Sequence, residues 1–200
     1  MARMPADVRR QELVEAAIRV MARDGVAKAT TRAIVAEAGM NLASFHYCFH
    51  SKEALLIEVI DTINGRNVRA ALDVVGPRRG VGETVRASIR AYWDLVEKNP
   101  GEHQVTYELT QYALRSPGLE SVARKQYDGY VAASIQFLEA IAEAARVEWT
   151  VPVPVLARMV HSVIDGATLA WVVDRETELT LLVLDQFADY LTRCSRRRTA

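Results

Sequence analysis

The chain has 200 residues, half of them hydrophobic and a quarter charged, with a formal net charge of zero. That size and composition suit one or two small globular domains able to bury a sizeable core. No uninterrupted apolar run reaches the roughly 18 residues of a membrane helix. The opening MARMPADVRRQE lacks the apolar core of a signal segment, so a cytoplasmic protein away from membranes is expected. Cys48 and Cys194 are far apart and make no metal or redox motif. A disulfide between them is not expected in a reducing compartment, and no metal or cofactor is predicted.

The first helix is expected to start near Asp7 or Val8 and to end at Gly25, with Leu13, Ala16, Ala17, Val20 and Met21 as its apolar stripe. The stretch TTRAIVAEAGMNLASFHYCFHSKEAL from Thr30 to Leu55 is the most informative in the chain. Thr30 can cap a second helix, along which Ile34, Val35 and Ala38 recur at helical spacing. Gly39 supplies the positive φ of a tight turn, and Met40 can plug the angle between the helices. Asn41 is a good N-cap for a third helix. Phe45 and Phe49, four apart, would pin that helix inward, leaving Leu42, Ala43, Ser44, His46 and Tyr47 outward. Ser51 can cap a fourth helix at whose start Lys52 lies. Lysine gains nothing from the positive end of a helix dipole, so its natural partner there is an external anion such as a phosphate.

The fourth helix is predicted from about 52 to 73, with Leu55, Leu56, Val59, Ile60 and Ile63 on one side, joining the N-terminal head to the rest. Gly76-Pro77-Arg78-Arg79-Gly80-Val81-Gly82 breaks the pattern. Helices are then expected at about 83–98, 102–115, 118–147, 155–174 and 177–195. No strand-type alternation competes, and Ser195-Arg196-Arg197-Arg198 reads as a frayed basic tail. The fold class is therefore all-α. An N-terminal three-helix domain (1–52) precedes a C-terminal helical domain (53–200).

Helix, glycine turn, short helix is the layout of a helix-turn-helix, whose second helix enters the DNA major groove. Residues 1–52 carry eight Lys and Arg against five Asp and Glu, a net +3 that leaves −3 on the remainder. The basic excess thus sits at the end carrying the motif. Free N–H groups at a helix start suit phosphates, which makes Thr30 and Thr31 phosphate-contact candidates. Asn41, Leu42, Ala43, Ser44 and His46 are the candidates for the groove. His46 and Asn41 can hydrogen-bond base edges, and Leu42 and Ala43 can offer apolar contact to a thymine methyl.

Thr31-Arg32, Ala38-Gly39-Met40, Phe45, Tyr47, Phe49 and Ser51-Lys52-Glu53-Ala54-Leu55 together resemble the DNA-binding domain of tetracycline-repressor-like (TetR family) regulators. The resemblance is strong over about residues 8–60 and beyond that rests on length and helical layout. It implies that Arg32 reaches a base and that Tyr47 and Lys52 meet the phosphate backbone. Cys48 departs from the family pattern, which commonly has histidine there, and reads as a small packing residue, with a redox-sensitive thiol as the alternative.

One recognition helix reads only a few base pairs, so a homodimer on a palindromic operator of double-stranded DNA is expected. Val155, Met159, Val163 and Ala167 on one helix, with Leu181, Leu184, Phe187 and Leu191 on the next, are the candidate dimer interface. The resemblance further implies a small-molecule effector in the C-terminal domain. Trp93, His103, Tyr107, Tyr112, Tyr127, Tyr130, Phe137 and Trp171 are candidates to line its site, with Glu108 and His161 as further polar contacts. The expected function is a sequence-specific transcriptional repressor released by that effector. Alternatives are a DNA-binding regulator without effector and a helical protein–protein adaptor. No nucleophile–base pair, phosphate loop or metal constellation points to an enzyme.

Overall fold

A computed structural model describes residues 5–76 and 80–198. Pro77, Arg78 and Arg79 of the expected break lie outside the described residues. The helices are α1 (Ala6–Asp24), α2 (Thr31–Glu37), α3 (Leu42–Cys48), α4 (Lys52–Asp73), α5 (Val81–Lys98), α6 (Pro100–Arg115), α7 (Glu120–Ala145), α8 (Val153–Asp174) and α9 (Thr177–Arg193). A short 3-10 turn, Val26–Lys28, follows α1.

Prolines and left-handed residues punctuate the helices where backbone chemistry allows. Pro100 opens α6, and Pro154 occupies the first turn of α8, where a missing N–H costs nothing. Gly25 (φ 85°) follows α1 and Arg175 (φ 61°) follows α8. Beside Arg175, the Asp174 carboxylate accepts a hydrogen bond from the Glu176 N–H at 2.9 Å, tightening the turn into α9.

The chain divides into two compact units. One comprises Met1–Ile63 and Gly101–Tyr127, the other Asn64–Pro100 and Asp128–Ala200. In the first, the α1 stripe is fully buried with Ile34, Val35, Phe45, Phe49 and the α4 residues Leu55, Leu56, Val59, Ile60 and Ile63. Val105, Leu109 and Ala113 of α6 belong to the same core. In the second, α9 packs against both α5 and α8. Its buried Leu184, Ala188 and Leu191 join Val85, Trp93, Leu138, Leu156 and Trp171. Arg90 pairs with Asp185 at 3.0 Å, and Arg86 reaches Asp189, tying α5 to α9 along the rim.

Two expectations are corrected here. A two-stranded antiparallel sheet exists, β1 (Val147–Trp149) with β2 (Ser195–Arg197), in the register Val147 to Arg197 and Trp149 to Ser195. The basic tail is therefore held rather than frayed. Arg196 bonds Glu148 at 2.7 Å and Arg198 bonds Glu143 at 3.2 Å. Backbone pairing with β1, flanked by these pairs to Glu148 of β1 and Glu143 of α7, holds a strand too short to show alternation.

Candidate nucleic-acid interface

The turn between α2 and α3 is built from local hydrogen bonds. Thr30 Oγ1 accepts from the Ala33 N–H at 3.2 Å, capping α2. At the other end the Met40 N–H bonds the Val35 carbonyl at 2.8 Å and the Gly39 N–H bonds that of Ala36 at 3.1 Å. Gly39 adopts φ 63°. This is the paired closure of a helix that ends in a left-handed glycine. Met40 packs against the core beneath. Asn41 Oδ1 then accepts from both the N–H and the hydroxyl of Ser44, at 2.9 and 3.1 Å, starting α3. Ser51 Oγ accepts from the Ala54 N–H at 3.1 Å, starting α4.

Packing decides which face of α3 is free. Phe45 and Phe49 are buried, their ring centroids 5.6 Å apart. The opposite side presents Leu42 (41% exposed) and Tyr47 (65% exposed), with Ala43 and His46 also in solvent. Thr30, Arg32 and Asn41 are exposed, and Thr31, Ser44 and Lys52 are half-buried. All ten residues taken from the sequence as DNA contacts are thus accessible on the first unit. Two of them have reduced freedom. The Asn41 carbonyl oxygen is committed to its cap, leaving its amide hydrogens to offer, and the Ser44 hydroxyl turns back onto Asn41.

Charges around α3 sort into those that hold the fold and those that remain outward. Arg10 binds the Cys48 carbonyl and Glu58, and its guanidinium lies 4.2 Å from the Phe49 ring centroid. It clamps the end of α3 to α4, a role invisible in a count of basic residues. Glu37 at the end of α2 receives Arg19 at 3.1 Å and Arg23 at 2.9 Å. Arg23, then Arg19, hold its carboxyl below the usual range. Arg9 stands over the Tyr47 ring at 5.5 Å. Cys48 is half-buried and packs on the core.

The remaining sequence candidates divide between the two units. His103, Tyr107, Tyr112 and Tyr127 belong to the first, and Trp93, Tyr130, Phe137 and Trp171 to the second. Burial pushes the His103 imidazole down to about 4, so it is neutral at pH 7. Glu108 accepts from the Val26 N–H at 2.8 Å and so closes the turn after α1. Trp93 and Trp171 form an edge-to-face pair at 5.4 Å within the second core. Among the dimer candidates, Leu184 and Leu191 are fully buried in that same core. Val155 is 49% exposed, and Val155, Met159 and Val163 line a surface groove of about 490 Å³. Leu169 and Val173 of α8 and Leu179, Leu182 and Val183 of α9 are also exposed. α8 has the length and mean hydropathy of a spanning helix, 1.2. It also carries Arg158, His161 and Asp165 in mid-course.

A three-helix head with an outward recognition helix, joined to a helical body, defines a helix-turn-helix transcriptional regulator. Residues 13–59 match the model of the bacterial regulatory proteins of the tetR family, and residues 81–195 match that of the BetI-type transcriptional repressor C-terminal domain. The chain belongs to the TetR family of DNA-binding transcriptional regulators, a family of regulators and not of enzymes.

Among its relatives is the nicotine-responsive transcriptional repressor HdnoR of Paenarthrobacter nicotinovorans, 29% identical over 185 residues, which span 90% of this chain and 94% of that one. The regulator BetI of Rhizobium meliloti (strain 1021) is 39% identical over 88 residues, 42% of this chain and 43% of BetI. In fold, the chain is similar to the transcriptional regulator FadR of Bacillus subtilis in complex with stearoyl-CoA. That likeness has a TM-score of 0.70 at 18% identity, over 91% of this chain and 97% of that one.

Proposed function

We propose that this regulator is a cytoplasmic homodimeric repressor that reads a palindromic operator through α3 and leaves it when a small molecule binds the C-terminal body. The observation that carries the reading is the division of α3 into a buried Phe45–Phe49 side and an outward side of Leu42, Ala43, His46 and Tyr47. The outward side offers a hydrogen-bonding imidazole, a phenol and small apolar surfaces to a groove. Arg32 and the N–H groups at the start of α2 stand ready for a base and for phosphates. Lys52, at the start of α4, adds a phosphate contact.

The homodimer is supported by the face on α8 and α9. Val155, Leu169, Val173, Leu179, Leu182 and Val183 are all between 45% and 80% exposed, an apolar patch of the kind that marks an association surface. Two copies of that face would make a four-helix interface about a two-fold axis. Release by a small molecule is supported by the relatives: HdnoR is named as nicotine-responsive, and FadR is seen with stearoyl-CoA. The effector acts by binding one of two states better, with a coupling typically of ~1–3 kcal/mol.

Selection of bound duplexes from a random pool with the purified chain tests this reading. Enrichment of a palindrome with half-sites roughly 34 Å apart, or a multiple of it, supports it. Enrichment of nothing, or of a single unpaired half-site, overturns it.

A further inference from the structure

The two short helices of the motif end in different ways. α2 closes on itself, through the left-handed Gly39 and the N–H groups of Gly39 and Met40. α3 has no such glycine. Phe49, the residue after it, is extended at φ −132° and ψ 124°, and its N–H returns to the Phe45 carbonyl at 2.7 Å. The carbonyl of Cys48, the last residue of α3, is taken by a side chain 38 positions away: Arg10 Nη1 of α1 donates to it.

Arg10 is fixed on three sides. Its Nε donates to Glu58 Oε1 of α4 at 2.7 Å, and Nη2 donates to the same oxygen. The guanidinium carbon lies 4.2 Å from the centroid of the Phe49 ring, and Phe49 is buried against Phe45. One planar side chain thus meets the end of α3, the ring that follows it and α4, all within the first unit. The arrangement suits a guanidinium and not an ammonium, because it uses donors at three nitrogens and a flat face at once. A positive charge at the carboxyl end of a helix is also favourable.

α3 has seven residues, too few to hold its shape alone. Its pose is set by what it touches. The Asn41 cap fixes its start, and Arg10 fixes its end. His46 and Tyr47 immediately precede the carbonyl that Arg10 holds, whereas Arg32 lies on α2. We infer that Arg10 is a positioning residue for base reading: it holds the last turn of α3 and so determines discrimination at the base pairs that His46 meets, without touching DNA. This rests on the reading of α3 as the recognition helix. Nε, Nη1 and Nη2 are all engaged inside the fold, which separates Arg10 from a phosphate contact.

Random-duplex selection with Arg10→Gln, beside the wild type, His46→Ala and Arg32→Ala, tests the inference. Arg10→Gln removes the charge and the fork of donors. It is expected to lose preference at the positions that His46→Ala loses and to keep those that Arg32→Ala loses. Its affinity for the palindrome selected by the wild type should fall about tenfold, while that for a scrambled duplex stays within about twofold. The salt slope on the scrambled duplex should be unchanged, where a lost phosphate contact would lower it by about 0.9. Amide exchange without DNA should quicken at Phe49, whose N–H closes the last turn. Arg10→Lys, which keeps the charge without the fork, should recover only part of the discrimination. Ile63→Val, which trims the core on α4, should leave every preference intact. Circular dichroism melts set the temperature at which each variant is folded. If Arg10→Gln does not fold, Glu58→Gln carries the test, with the same positional loss in smaller degree.

Unchanged or uniformly weakened preferences in the folded variant, no loss in His46→Ala, a lowered salt slope, or the same losses in Ile63→Val overturns the inference. The two readings fail separately. A wild type that prefers no sequence sinks the reading of α3, and the role of Arg10 with it. A wild type that selects a palindrome, with an Arg10→Gln that selects it equally, sinks the role of Arg10 alone.

Discussion

The Lys52 ammonium stands 5.1 Å from the centroid of the Tyr112 ring, so a residue of α6 holds the lysine that opens α4. The ring steadies the lysine, and the ammonium hydrogens stay available to a phosphate. Lys52→Ala is expected to weaken binding to specific and non-specific DNA alike. It should also lower the slope of log K against log salt by about 0.9, the share of one phosphate. An unchanged slope would remove Lys52 from the phosphate contacts. Tyr112→Leu keeps the charge and should keep the slope.

Phe45 ties the recognition helix to the head. It is 2% exposed and its ring packs at a tilt on that of Phe49, so Phe45→Ala should destabilise the protein by about 3–5 kcal/mol in urea unfolding. Thr30→Ala, which removes only the α2 cap, should cost about 1 kcal/mol. A loss below that of the cap variant for Phe45→Ala would contradict its anchoring role.

Much of the head was legible because its determinants are local. Thr30, Asn41 and Ser51 cap the helices they precede, Gly39 takes the positive φ that its position requires, and the Phe45–Phe49 spacing sets the inward face. Less was legible where contacts join distant residues. Arg10 reads in sequence as one more positive charge, yet it spans to Cys48 and Glu58. The run LTLLVLDQFADYL in α9 carries apolar residues on nearly every side. Periodicity alone does not separate the buried Leu184 and Leu191 from the exposed Leu182 and Val183. Tyr92 of α5 and Thr168 of α8 sit 76 positions apart and meet in a hydrogen bond of 3.2 Å, so no motif joins them.

His103 gives the stability a pH dependence. Burial disfavours the imidazolium and pushes its pKa down to about 4, below the ordinary 6.5 of an exposed histidine. The unfolded chain therefore binds more protons between those values. The contribution is fully present above pH 6.5 and is lost as pH falls toward 4. At pH 4.5 the loss should be on the order of 2–3 kcal/mol relative to pH 7. Denaturant unfolding across this range should show the decline, and His103→Gln should flatten it. Parallel pH curves for the two proteins would exclude His103 as the source.

The exposed face of α8 and α9 predicts a concentration-dependent dimer. Leu182→Glu with Val183→Glu places two charges where 61% and 49% exposed apolar side chains now stand. Sedimentation velocity should show the wild type as a dimer and the double variant as a folded monomer. A dimer of unchanged affinity would move the interface elsewhere.

If the outward face of α2 and α3 reads bases, random-duplex selections run in parallel on the wild type, Arg32→Ala and His46→Ala will separate its residues by position. The wild type should recover a palindrome. Each variant should lose preference at one symmetry-related pair of positions, with discrimination there falling by ~1–3 kcal/mol, and keep the rest. Identical preferences in all three proteins, or a uniform loss of affinity with every preference intact, would contradict base reading by these residues.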